Sequence, residues 1–249
     1  MKIHSLSLYA LAFCLIALLA GPAHAEIIIG ATRAIYPAQS REITLRLSNN
    51  EASEARLVQA WIDDGDADTA PESMDVPFAL TPPIFRLDAG KSQILRIAYA
   101  PDEGNVVSGD KESLYWINVR AMPPKSEDAA SKNALRFALR TRIKLFFRPT
   151  NLAGYAADAA EKLQWKLMAN ETGHALEVHN PSAYHVSFAG IAVGVDGQEI
   201  NTESLSMVAP GDTGRIMLKG LPSQQHGKAE LRFQIIDDNG NIQVHTAVL

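Results

Sequence analysis

The sequence predicts an all-β protein built from sandwiches, and three observations carry the prediction. Short runs rich in Val, Ile, Leu and aromatic residues recur at 42–48, 55–62, 93–99, 114–120, 134–147, 174–179, 184–195, 213–218, 229–236 and 242–248, with turn-forming clusters between them. No segment sustains a long helical apolar period; 155–164 is the single local helix candidate and reads as a turn or short helix. The third observation is the stretch 132–149, KNALRFALRTRIKLFFRP. A strand period there places Leu135, Phe137, Leu139, Thr141, Ile143, Leu145 and Phe147 on one side, whereas a helical period would scatter the arginines all around.

The chain opens with Lys2, an apolar run from Leu6 to Ala20, and Gly21-Pro22-Ala23-His24-Ala25. These are the charged, hydrophobic and small-residue parts of a secretory signal peptide over 1–25, with cleavage expected after Ala25 and export of the remainder. Fifteen apolar residues are short for a bilayer span, and no later run reaches the roughly 20 residues that spanning needs, so a membrane-embedded product is not expected. Cys14 lies inside the apolar run behind bulky Phe13, which argues against a lipid anchor. It is also the only cysteine. The exported chain therefore has no disulfide and must hold itself together by burial.

After residue 25 the chain is long enough for two domains of about 100 to 150 residues each. Arg148-Pro149-Thr150-Asn151-Leu152-Ala153-Gly154 is the clearest break, since proline ends the longest strand pattern there, and it divides 26–150 from 151–249. Removing residues 1–25 takes away Lys2 and no acidic side chain, so the formal charge moves from −5 to −6. A net negative chain is not a general nucleic-acid binder.

Enzyme and metal motifs fail on spacing. Asp64, Asp66 and Asp68 stand at positions 1, 3 and 5 of a calcium loop, but Thr69 takes the place that needs glycine and Asp75 that of the bidentate Glu. His174, His179 and His185 match no ligand spacing, so no metal and no cofactor are expected. There is no Gly-x-Ser-x-Gly turn, no cysteine nucleophile after residue 25 and no phosphate-cradling glycine loop, and the sequence does not read as an enzyme.

Six segments carry a resemblance. Thr32-Arg33-Ala34-Ile35-Tyr36-Pro37, Thr81-Pro82-Pro83-Ile84-Phe85-Arg86-Leu87, Asp110-Lys111-Glu112-Ser113-Leu114-Tyr115-Trp116-Ile117-Asn118-Val119 and Arg142-Ile143-Lys144-Leu145-Phe146-Phe147-Arg148-Pro149 lie in the first half. Asn180-Pro181-Ser182-Ala183-Tyr184-His185-Val186-Ser187-Phe188 and Ile236-Asp237-Asp238-Asn239-Gly240 lie in the second. In this order, over nearly the whole exported chain, they resemble the PapD-like periplasmic chaperones of the chaperone/usher pilus pathway.

The resemblance implies two immunoglobulin-like β-sandwich domains set at an angle with a cleft between them. It implies as partners pilin subunits and an outer-membrane usher, and as mechanism the loan of a strand, here about Ala134 to Ile143, to a subunit that lacks one. Leu135, Phe137 and Leu139 would enter the subunit's open groove as substitute core. The resemblance also implies that Arg33 and Lys144 anchor the subunit's terminal carboxylate, and that Glu112, Arg148 and Asp238 form a structural ion cluster between the domains. The same apolar strand would support self-association of the free chain. The connection from Lys125 to Ala134 is short, as in the branch of the family associated with rod-like pili. The competing reading is a structural pilin or adhesin component; against it, the exported chain begins Glu26-Ile27-Ile28-Ile29-Gly30 and runs straight into TRAIYP, with no donor segment and no cysteine.

Overall fold

A computed structural model describes residues 27–102, 104–107, 109–124, 137–170, 173–195, 198–201, 205–218 and 229–249. The expected signal segment 1–25, the connection 125–134 and Leu135 of the expected donor strand lie outside these residues. In chain order the strands are β1 (Ile27–Ile29), β2 (Arg33–Pro37), β3 (Ile43–Asn49), β4 (Arg56–Asp63), β5 (Phe78–Thr81), β6 (Ile84–Leu87), β7 (Ser92–Tyr99), β8 (Ser113–Met122) and β9 (Leu139–Arg148). After two short 3-10 turns at Ala156–Asp158 and Ala160–Lys162 come β10 (Gln164–Asn170), β11 (Gly173–His179), β12 (Val186–Val195), β13 (Gln198–Asn201), β14 (Met207–Val208), β15 (Thr213–Leu218), β16 (Ala229–Ile236) and β17 (Ile242–Val248).

The expected all-β architecture of two sandwiches is the architecture found. In the first sandwich the sheet β1-β3-β7-β5 faces the sheet β2-β9-β8-β4-β6. Alternation builds its core: Leu45 and Leu47 of β3, Val58 and Ala60 of β4, Leu95 and Ile97 of β7, Ile117 and Val119 of β8, and Leu145 and Phe147 of β9 are all buried in one cluster. In the second sandwich β10-β11-β15 faces β13-β12-β16-β17, with β14 paired to β12, over a separate core that includes Leu176, Val178, Val193, Ile216, Leu231 and Phe233.

The first strand segment is divided between the two sheets of its sandwich. β1 pairs antiparallel with β3, and after Gly30 to Thr32 the chain crosses over so that β2 pairs parallel with β9 from Arg33↔Lys144 to Pro37↔Arg148. Pairing of β9 with β8 runs much further, from Phe147↔Ser113 back to Leu139↔Ala121. Over Leu139–Ile143, therefore, no described strand occupies the edge of β9 that faces away from β8. The strand also starts later than its alternation predicts. Phe137 precedes β9, because the last β8 pair on that side is the one at Leu139.

Tyr36 pins β2 inside the first sandwich. It is fully buried, its ring stacks on Phe147 and meets Phe78 edge-on, and its hydroxyl lies 3.0 and 3.1 Å from the carbonyls of Ser40 and Arg41 while accepting the N–H of Tyr99 at 2.9 Å. Tyr36→Phe keeps the ring and leaves the Tyr99 N–H without an acceptor, which costs about 1–3 kcal/mol. The expected outcome is a melting temperature several degrees lower by circular dichroism; an unchanged value would show that water replaces the hydroxyl without cost.

Candidate functional site

The β2–β9 register sets two cations side by side, since Arg33 and Lys144 are direct partners on neighbouring strands about 4.8 Å apart. Arg33 is 9% exposed and its NH1 donates to the carbonyl of Ile236 at 2.8 Å, while its Nε is buried without a hydrogen-bond partner. Burial pulls the Arg33 pKa below its usual value, against the opposing charges of Asp238, Asp237 and Glu112. Lys144 donates from Nζ to Ser187 Oγ at 2.9 Å, and burial together with the neighbouring Arg33 lowers its pKa to about 8. Among the described residues no carboxylate lies within ion-pairing distance of either group. Two adjacent, half-desolvated cations lacking a counter-ion form a site for an anion.

The apolar side of β9 leads up to this pair. Burial rises along the strand: Leu139 is 54% exposed and Phe137 just before it is 76% exposed, yet Ile143, Leu145 and Phe147 on the same side are core. The amino-terminal half thus carries core-type side chains beyond the end of its own core, next to an open backbone edge.

The other side of β9 faces the cleft and is lined with guanidinium groups held in place. Asp63 is fully buried; both guanidinium nitrogens Nε and NH2 of Arg142 donate to it, Asn118 Nδ2 donates at 2.7 Å and the Gly65 N–H at 2.8 Å. Burial alone would raise the Asp63 pKa, but these donors outweigh it and lower the value. Arg142 lies over the Trp116 ring at 4.2 Å and Arg140 over Trp61 at 4.9 Å. Arg140 also donates to Asn118 Oδ1 at 2.9 Å and to the Ala67 carbonyl at 2.6 Å. These contacts clamp the half of β9 that has only one strand neighbour.

Glu112, Arg148 and Asp238 lie together. Arg148 donates to Glu112 Oε1 from Nε (3.0 Å) and NH2 (2.8 Å), and to Asp238 from NH1 (2.7 Å) and NH2 (3.0 Å). Burial disfavours the Arg148 charge, but hydrogen bonds and charge from Asp238 and Glu112 outweigh that and raise its pKa. The second Glu112 oxygen accepts the His185 backbone N–H at 2.9 Å and meets His185 Nδ1 at 3.0 Å, and the Glu112 N–H donates to the Ala183 carbonyl. The turn that delivers Asp238 is closed by Asp237, whose Oδ1 accepts the N–H groups of Asn239 and Asn241. Gly240 in that turn has φ +85°, and a Cβ there would lie 2.5 Å from Thr32 Oγ1. Sequence reasoning missed Ser187, His185 and the Ile236 carbonyl, which reach the site only through packing between sandwiches. It also missed Asp63, whose signal was the alternation Gln59, Trp61, Asp63 on the outward face of β4.

These features define a two-sandwich protein with an open strand edge that ends at a cation pair. Residues 26–153 match the family model described as pili and flagellar-assembly chaperone, PapD N-terminal domain, and residues 158–247 match that of the pili assembly chaperone PapD, C-terminal domain. The chain belongs to this family of pilus-assembly chaperones. It is 39% identical over 246 residues to the chaperone protein FimB/FhaD of Bordetella pertussis, covering 98% of this chain and 96% of that one. It is 39% identical over 217 residues to the chaperone protein MrkB of Klebsiella pneumoniae, covering 86% and 88%. The crystal structure of the YadV chaperone superposes with a TM-score of 0.77 at 32% identity, over 90% of this chain and 100% of that one. The SafB chaperone in complex with the SafA pilin of Salmonella enterica gives 0.71 at 30%, over 92% and 99%. Among the described residues no helix is long and apolar enough to cross a membrane.

The lowered Lys144 pKa carries a sign that can be tested on the free protein. With a folded value of about 8 against an ordinary 10.5, the folded chain binds fewer protons than the unfolded one between those pH values, so this group makes stability rise with pH across the window. Below pH 8 its buried charge is a standing cost. Lys144→Met should therefore raise the melting temperature at pH 7, by an amount that shrinks by pH 10. A variant less stable than the parent at pH 7, or offset equally at both pH values, would contradict the assignment.

Proposed function

We propose that this chain is a periplasmic chaperone that caps pilin subunits by lending them the amino-terminal half of β9 and passes them to an outer-membrane usher. The observation that carries the reading is the open edge of β9 over Leu139–Ile143, ending at Arg33 and Lys144. A subunit strand laid on that edge with its last residue at the cation pair runs in the same direction as β9. Main-chain pairing then gives affinity for many sequences, and the terminal carboxylate, which every subunit possesses, fixes register from one end. Phe137 and Leu139, preceded by Leu135, supply the side chains a subunit's groove lacks, each contributing roughly 1.5–3 kcal/mol when fully buried.

In this reading 1–25 is the signal peptide, 26–150 the domain that donates the strand and 151–249 the domain that closes the cleft. Arg148, with Glu112 and Asp238, holds the two at one angle; a cluster of this kind fixes geometry better than it adds stability. The SafB complex, in which a related chaperone holds a pilin, supports a pilin as partner.

Two sets of variants test the proposal by co-expression with a pilin subunit and recovery of the complex from the periplasm. Arg33→Ala and Lys144→Ala each remove one half of the anchor and should cut subunit binding at least thirtyfold, corresponding to about 2 kcal/mol or more. Undiminished pilin recovery with both would refute the anchor. Phe137→Glu replaces a side chain that is 76% exposed in the free chain, so its melting curve should match the parent while the pilin is lost to aggregation or proteolysis. An unfolded Phe137→Glu that still protects pilin would refute the strand loan.

A further inference from the structure

We propose that the cavity beside Arg33 and Lys144 receives the side chain of the bound subunit's last residue and selects an apolar one. This rests on the carboxylate-anchoring reading above. The cavity is about 300 Å³, and its walls are Trp116, Ile143 and the cations on the first sandwich, with Ile236 and Ile242 on the second. Ile236 and Ile242 are direct partners across β16–β17 and so share a face. Ile242 is 60% exposed, a large apolar group in the wall of the cavity. No acidic side chain lines the cavity. Arg142 on its wall is already engaged by Asp63, and the Trp116 ring lies beneath it.

Strand register says which side chain arrives there. Arg33 is the partner of Lys144, and the chain leading into it, Thr32, lines the cavity beside Ile143, so a subunit strand running parallel to β9 along the remaining edge must end one position earlier still, with its last residue in line with Arg142. Neighbours in register on adjacent strands share a face, and Arg142 points to the cavity side. The residue before it, in line with Thr141, points the opposite way, with Leu139. The last side chain therefore enters the space between Trp116, Ile236 and Ile242, while its carboxylate reaches Arg33 and Lys144. A basic side chain would meet the two cations, and glycine would leave the apolar walls uncovered.

The test uses the purified exported chain and synthetic peptides of about twelve alternating Thr and Val residues that differ only in the last residue, Leu, Gly or Lys. Each is made as the free acid and as the amide, and binding is followed by fluorescence anisotropy. The free acid ending in Leu should bind about tenfold tighter than that ending in Gly, the one ending in Lys more weakly than either, and the amides negligibly. Ile242→Ser, at an exposed position, should keep the parent's melting temperature and its affinity for the Gly peptide while losing the preference for Leu. Free acids that bind alike while amides fail would overturn this inference and leave the anchor standing, as would an Ile242→Ser protein that retains the preference. Acids and amides that bind equally, or fail equally, would overturn the anchoring reading itself.

Discussion

The backbone N–H and C=O groups along Leu139–Ile143 need partners, and the division of the first strand between two sheets denies them any on one side. Everything at the site follows from that one unmet requirement. Were β2 to continue backwards along β9, the first sandwich would close its own edge, and Arg33 would sit mid-strand beside a covered lysine. Instead β1 turns away to β3, and β9 is left with one neighbour for half its length. An exposed edge is normally an aggregation hazard. Here the hazard is contained by rigidity, because Arg140 and Arg142 are fastened across β8 to Asp63, Asn118 and the Ala67 carbonyl. A strand already held extended loses little conformational freedom when another chain docks on it.

What the sequence revealed, and what it hid, follows the reach of each interaction. The alternation from Leu139 to Phe147 was legible because one side of β9 is apolar except at Thr141, and the β3, β4, β7, β8, β11 and β16 patterns were legible for the same reason. β5 and β6 were not read as strands, since Pro82 and Pro83 stand between two four-residue segments that look like turn sequence. β2 was read as a motif and not as a strand, and β14 is two residues long. The pairing of Arg33 with Lys144 was implied by the motifs around them. Their contacts to Ile236 and Ser187 were invisible, because those partners lie 203 and 43 residues away and belong to the other sandwich. Asp63 drew no reading of its own, because its partner Arg142 lies 79 residues away.

Directional contacts join the two sandwiches. Arg148 spans from Glu112 to Asp238, Glu112 reaches on to the His185 backbone, and Arg33 is bound to the Ile236 carbonyl. Each donor and acceptor has a fixed direction, so the set tolerates few relative orientations, whereas a greasy interface of equal area could slide. The absence of a Cβ at Gly240 lets its turn close onto Thr32, the residue next to Arg33. Cleft width and cation placement are thus set by the same few atoms.

A single strand, β9, is exposed in one half and core in the other. Leu145 and Phe147 are locked into their own sandwich among Tyr36, Phe78, Tyr99 and Val119, and a change of shape there must be absorbed by neighbours from four other strands. Phe137 and Leu139 touch no such network and are largely in solvent. The first half of the stretch can therefore vary in sequence without disturbing the chain's own folding, while the second half cannot. Tolerance to mutation should change abruptly near Ile143, within one continuous strand.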